Sequence, residues 1–181
     1  MDSLGVTGSA LQAVRDGKLA GSWTLDPGRS QVRLEARAMW GLASVRGVFR
    51  QVSGDGVITS AGEVSGVLTV AASSIDTKNR QRDTHLRSAT FFDVQNYPDI
   101  TFTADRIEPA GEAVTIAGSL KVRDQVRPTS LEARASLLGP GELCLEGELR
   151  VNRADFGLSW NLLGMASMHN TISVRAVFAR Q

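Results

Sequence analysis

Two histidines more than eighty residues apart and a single cysteine, Cys144, leave no internal disulfide and no ligand spacing for zinc. Neither a metal nor another cofactor is implied. No Gly-x-Ser-x-Gly turn occurs, so the nucleophile elbow of a serine hydrolase is absent. Charge of one sign is missing as well. Twenty Lys plus Arg stand against nineteen Asp plus Glu, a net +1, and no field exists to gather a polyanion, so nucleic acid is not an expected partner. No apolar run approaches the ~18 residues of a spanning helix. The first twenty residues lack the basic stretch and apolar core of a secretory leader. A cytoplasmic protein without an integral membrane segment is expected.

What is present is alternation. Val32, Leu34, Ala36 and Ala38 alternate with Gln31, Arg33, Glu35 and Arg37, as in a strand with one dry and one wet face. The same period recurs at Val64, Gly66, Leu68 and Val70, at Ile100, Phe102 and Ala104, and at Val114, Ile116, Gly118, Leu120 and Val122. It returns at Leu131, Ala133 and Ala135, at Leu143, Leu145, Gly147, Leu149 and Val151, and at Ile172, Val174, Ala176 and Phe178. Cys144 falls within one of these runs and reads as an inert strand residue. With "SWTLD" and "SVRGVFRQVSG" the count reaches about eight strands, separated by turn pairs such as Asp26-Pro27, Gly54-Asp55, Ala61-Gly62 and Pro140-Gly141.

An all-β meander of this size packs as two sheets or closes into a barrel, and closure removes exposed edges. Scarcity of bulk favours the barrel. Aromatics are only 6% of the chain and many dry-face positions are Gly or Ala, so the interior is poorly filled. Eight strands enclose about the space of one small ligand. At 181 residues a single domain is expected, residues 21–181 forming the barrel and residues 1–20 a helical or flexible segment in which Leu11, Val14 and Arg15 have helical spacing.

One stretch interrupts the strands. In "RQRDTHLRSATFFDVQNYPDITF" (80–102), Asp76 or Thr77 is placed to cap a helix running to about Ala89, and Pro98 fixes the entry to the next strand. Asp83 and Arg87, four apart with the acid first, suit an exposed ion pair worth a few tenths of a kcal/mol. Arg82 and His85 occupy a different face beside Phe91, Phe92 and Tyr97, a donor-rich patch suited to the anionic or carbonyl head of an apolar molecule. Solvation of a plugging helix explains the same charges equally well. Near the end, "GLSWNLLGMASMHN" puts Trp160, Met165 and Met168 in an apolar insertion that reads either as an adaptable lip or as a core plug. Arg153 and Asp155 are expected to brace each other across a turn.

The same stretch resembles the most specific motif of the YceI-like proteins, an R-D-x-H-L-R-S helix leading into F-F-D-V and a Tyr-Pro turn. The resemblance extends over about residues 22–180 through "WTLDPGRSQVRLEARAMWGLASVRGVF", "SSIDTKN", "GSLKVRDQVRPTSLEA" and "VNRADFGLSWN". The family often has His where this chain has Arg29 and Trp40. The resemblance implies a lipocalin-like eight-stranded antiparallel barrel, capped by the short helix, that binds a polyisoprenoid chain or an isoprenoid quinone. It implies that Arg82, Asp83, His85 and Arg87 lie near one end of an apolar tunnel and that Phe91, Phe92, Tyr97 and Phe102 line or plug it. Leu34, Leu68, Ile100, Leu120, Leu145 and Val174 are expected along the wall, with Trp160, Met165 and Met168 at the mouth. A carrier or store of an isoprenoid lipid follows, with transient membrane contact compatible with that role and a homodimer suggested by the resemblance. Two other readings stand beside it: an enzyme on such a lipid with His85 as acid or base, and an interaction module whose barrel is filled by its own side chains.

Overall fold

The alternating runs form strands that join edge to edge into one closed sheet. The computed structural model describes residues 4–38, 41–159 and 166–181. Helix α1 (Leu4–Arg15) precedes strands β1 (Gly21–Leu25), β2 (Gln31–Ala38), β3 (Ala43–Phe49), β4 (Val52–Ile58), β5 (Val64–Ala71) and β6 (Ile75–Asp76). Helix α2 (Arg80–Arg87) then leads to β7 (Asp99–Ala110), β8 (Ala113–Val122), β9 (Gln125–Gly139), β10 (Glu142–Asn152) and β11 (Ala166–Arg180).

Eleven segments make eight strands, because the first three passages across the sheet are each broken once. β1 and β2 both run antiparallel to β11, Leu25 opposite Phe178 and Gln31 opposite Arg175, with the Asp26–Ser30 turn between them. In that turn Asp26 Oδ1 accepts the Gly28 N–H at 2.9 Å. β3 pairs with β2 while β4 pairs with β1, and β6 pairs with β3 while β5 pairs with β4. From there β5, β7, β8, β9, β10 and β11 follow as simple antiparallel neighbours. The pairing of β1 with both β4 and β11 closes the ring. The fold is a closed eight-stranded antiparallel barrel with two short helices, and closure leaves no long edge free for aggregation.

Curvature has local causes. β7 carries a bulge at Asp105, between the Ala104–Gly118 and Arg106–Ala117 pairs, so the inward parity jumps and Ile107 turns inside with Ala104. Gly118 sits opposite that bulge, where a Cβ would run into the Thr103 carbonyl oxygen; only glycine lets the two backbones approach so closely.

Each helix covers one end. α1 ends in a Schellman arrangement, with Gly17 (φ 70°) donating to Val14 O at 3.0 Å and Lys18 to Ala13 O at 2.9 Å. Val14 and Ala13 pack with buried Leu19, Trp23 and Ile58, and Trp23 Nε1 donates to Leu19 O at 3.0 Å. α2 begins later than the sequence predicts. Its cap is Asn79, whose side chain accepts the Arg82 N–H at 3.0 Å, because Lys78 adopts a left-handed backbone (φ 62°) that stops the helix from starting at Asp76 or Thr77.

Candidate functional site: the barrel interior

Mid-strand side chains that point inward are nevertheless only half-buried: Leu34, Leu68, Ile100, Phe102, Leu145, Ile172 and Val174. A solid core would cover them. Space inside the barrel accounts for the difference, in three successive cavities. The first, about 110 Å³, lies beneath α2 and is lined by Leu34, Phe91, Phe92, Ile100, Leu120, Phe156 and others. The second, about 100 Å³, is bounded by Trp23, Ile58, Ala104, Ile107, Leu145, Ala176 and Phe178 among others. Leu68, Phe102, Leu131 and Val174 belong to both walls. The third, about 90 Å³, lies under α1 against Ala10, Leu11, Val14 and Arg15, and shares Ile58, Val64, Ile107, Leu143 and Leu145 with the second.

The charged face of α2 is directed elsewhere. Asp83, only 6% exposed, accepts from the Thr77 N–H at 3.0 Å and the Thr77 hydroxyl at 2.6 Å. Arg82 donates from Nε to Thr77 Oγ1 at 2.8 Å and from Nη2 to Thr77 O at 2.9 Å. Arg87 reaches Ser73 O at 2.7 Å and Ile75 O at 2.8 Å. The exposed Asp83–Arg87 ion pair expected from spacing therefore does not form. Buried Asp83 is satisfied instead by the Thr77 N–H and hydroxyl, and the exposed pair it forgoes would contribute little. Arg82, Asp83 and Arg87 together fasten the 73–77 segment to α2, and none of them lines a described cavity.

Fastening α2 positions the plug. Phe92 N–H donates to Leu86 O at 2.9 Å, and Phe91 and Phe92 meet edge to face with centroids 4.9 Å apart. His85 packs against Phe91, its ring centroid 6.4 Å away, and lines no described cavity. Tyr97 lies under the Arg123 guanidinium at 5.8 Å rather than in the lumen. Met168 is half-buried outside the cavity walls. Trp160 and Met165 fall outside the described residues.

Two polar side chains do face the first cavity. Arg153, 5% exposed, donates from Nε to Ser167 O at 3.0 Å and from Nη1 to Leu158 O at 2.7 Å. Its guanidinium stands 5.8 Å from the Phe91 centroid, and burial lowers its pKa. It does not brace Asp155 as the turn suggested; Asp155 stays exposed and gives its backbone carbonyl to Arg127 at 3.1 Å. Asn170, 8% exposed, is the second. Its position is legible afterwards in the sequence, since 170 continues the inward parity of Ile172, Val174 and Ala176. Ile107 had no such signal, because a bulge is invisible to periodicity.

A YceI-like domain profile matches residues 23–179, nearly the whole barrel. The chain belongs to the YceI-like family. Protein YceI of Salmonella agona is 28% identical over 171 residues, covering 88% of this chain and 87% of that one. Protein YceI of Salmonella arizonae is 32% identical over 102 residues, 52% of each chain. Among solved structures, BcnA of Burkholderia cenocepacia superposes with a TM-score of 0.77 at 19% identity, covering 84% of this chain and 98% of BcnA. A polyisoprenoid binding domain from Saccharophagus degradans, implicated in plant cell wall breakdown, gives 0.71 at 17% identity, with 88% and 98% covered. At these identities the structures establish the shared fold. The YceI-like match begins at Trp23, so α1 lies outside the matched region. Among the described residues no helix is long and apolar enough to cross a membrane, and no cluster of His, Cys, Asp or Glu is arranged to hold a metal ion.

Proposed function

We propose that this YceI-like barrel binds the apolar tail of an isoprenoid lipid along its axis, as a carrier or store. The observation that carries the reading is the row of three cavities sharing walls from α2 to α1, almost wholly apolar within. The polyisoprenoid-binding neighbour of the same fold supports the ligand class.

Each cavity alone is smaller than the ~150 Å³ that accommodates a benzene. A chain therefore enters by rotation of the side chains that divide the lumen, Leu68, Phe102, Leu131 and Val174, which are half-buried or near the edge of a void and free to change rotamer. A tail of ~20 carbons at roughly 0.3 kcal/mol per atom contributes about 6 kcal/mol, a dissociation constant of tens of μM. One buried hydrogen bond to a head group adds about 1 kcal/mol and brings this to the low μM range.

On this reading Phe91, Phe92, Leu34, Ile100, Leu120 and Leu145 contact the tail, while Arg82, Asp83 and Arg87 act on it only through the plug they hold. Organic extraction of the purified protein followed by mass spectrometry tests the proposal. A prenyl lipid in the extract is the expected result. An extract free of lipid, together with no binding of added geranylgeraniol, assigns the barrel to the filled interaction module instead.

A further inference from the structure

Asn170 is a polar side chain in an otherwise greasy place. Its Oδ1 is fully buried, has no hydrogen-bond partner among the described residues, and belongs to a side chain lining the first cavity. A buried amide oxygen left without a donor loses the hydrogen bonds it had in water and gains none in return. Apart from Asn170 and Arg153, every described residue lining this cavity is apolar. Leu or Ile at 170 would continue the inward pattern of β11 without that cost. A donor arriving with the ligand removes it.

We propose that Asn170 is a head-group subsite and that the head it takes is neutral and bears a hydroxyl. The inference rests on the lumen binding a prenyl tail, and it names the chemistry at the end of that tail. The Asn170 amide carries an acceptor and a donor, so a quinone carbonyl, a carboxylate or an ionised phosphate can pair only with Nδ2 and leaves Oδ1 unpaired, whereas a hydroxyl can serve both. Charge argues the same way. A diphosphate in this cavity would lose its hydration while facing one guanidinium, Arg153, whose Nε and Nη1 are already committed to Ser167 O and Leu158 O. An alcohol gives its proton to Asn170 and keeps its oxygen in the positive field of Arg153, with no ion to desolvate. Asn170 shares its cavity with Phe91 and with Arg153, whose guanidinium stands over the Phe91 ring, so the head sits under the α2 plug and the tail runs toward α1.

The test compares geranylgeraniol, its methyl ether and geranylgeranyl diphosphate by calorimetric titration on the full chain and on Asn170→Leu. In the unaltered protein the ether, which keeps the oxygen and lacks the donor, is expected to bind about tenfold more weakly than the alcohol. The diphosphate is expected to bind more weakly than the alcohol as well. In Asn170→Leu the alcohol falls to the level of the ether. Equal binding of alcohol and ether by the unaltered protein overturns the subsite while leaving the tail-binding lumen intact, and needs no variant to fold. A diphosphate that binds tightest overturns it also. Failure of all three to bind removes the lumen reading and the subsite together.

Discussion

Phe102 of β7 stands directly opposite Leu68 of β5, and this cross-strand pair forms part of the partition between the first two cavities. Both side chains point into the lumen from the middle of their strands, and both are half-buried because void lies on either side. If the lumen binds a prenyl tail as proposed, this contact is the barrier that the tail must displace to span both cavities.

Phe102→Ala should merge the two cavities, lowering stability by about 2 kcal/mol, less than a fully packed Phe would cost because the ring already borders empty space. Affinity for bulkier or longer prenyl chains is expected to rise. Phe102→Asp should abolish binding by placing a carboxylate in the partition. Titration with chains of graded length checks both; unchanged length preference in the alanine variant would show that the partition is not a gate.

Asp83→Ala leaves the buried Thr77 N–H and hydroxyl without their acceptor, and a loss of about 2 to 3 kcal/mol in unfolding free energy is expected. Denaturant titration reads the loss, while affinity of the remaining folded protein for geranylgeraniol should change little. A variant with unaltered stability and lost binding would make Asp83 a ligand contact rather than a fastening.

The Asp76 carboxyl is held at about 2, below its ordinary 3.8, chiefly by the Arg50 guanidinium at 2.7 Å, with the Lys78 N–H at 2.9 Å adding to it. A folded value below the unfolded one means that this contribution is complete above pH 3.8 and disappears as pH falls through 2. Thermal midpoints of the wild type and Asp76→Asn should therefore differ at pH 6 and converge toward pH 2. A constant difference across that range would place the effect of Asp76 in something other than its charge.

Cys144, 1% exposed, has its thiol pushed up by burial, with the Arg29–Glu142 and Arg175–Glu146 ion pairs beside it on the outer face. Thiolate is scarce and access is closed, so alkylation by iodoacetamide at pH 7.5 should be slow in the native state and rapid in denaturant. Mass spectrometry over time checks this, and full labelling of native protein within minutes would contradict the packing described.

Alternation along each run was enough to read an all-β chain of about eight strands and the inward set of Leu34, Leu68, Ile100, Phe102, Leu120, Leu145 and Val174, because side chains alternate between faces with period two. The same property made Asn170 readable in principle. Three features escaped it. The Asp105 bulge reverses parity without leaving a residue signature, so Ile107 was invisible. The left-handed Lys78 moves the start of α2, which propensity alone does not foresee.

The third was the role of the α2 charges. Local spacing placed Asp83 against Arg87 and left Arg82 beside His85, a pattern equally fit for solvent, a salt bridge or a ligand. Which partners these groups find depends on the 73–77 segment folding back beside them, a contact between parts of the chain that helical geometry does not encode. The order of residues already carries an all-β chain whose dry face is greasy and short of bulk, and the motif resemblance points to a barrel. Only the closed ring sets Leu68 and Phe102 between the first two cavities, gives the arginines of α2 backbone carbonyls to hold, and brings Asn170 and Arg153 into the cavity beneath α2. Burial and hydrogen-bond satisfaction are properties of the closed ring, and they exist only once its distant strands have met.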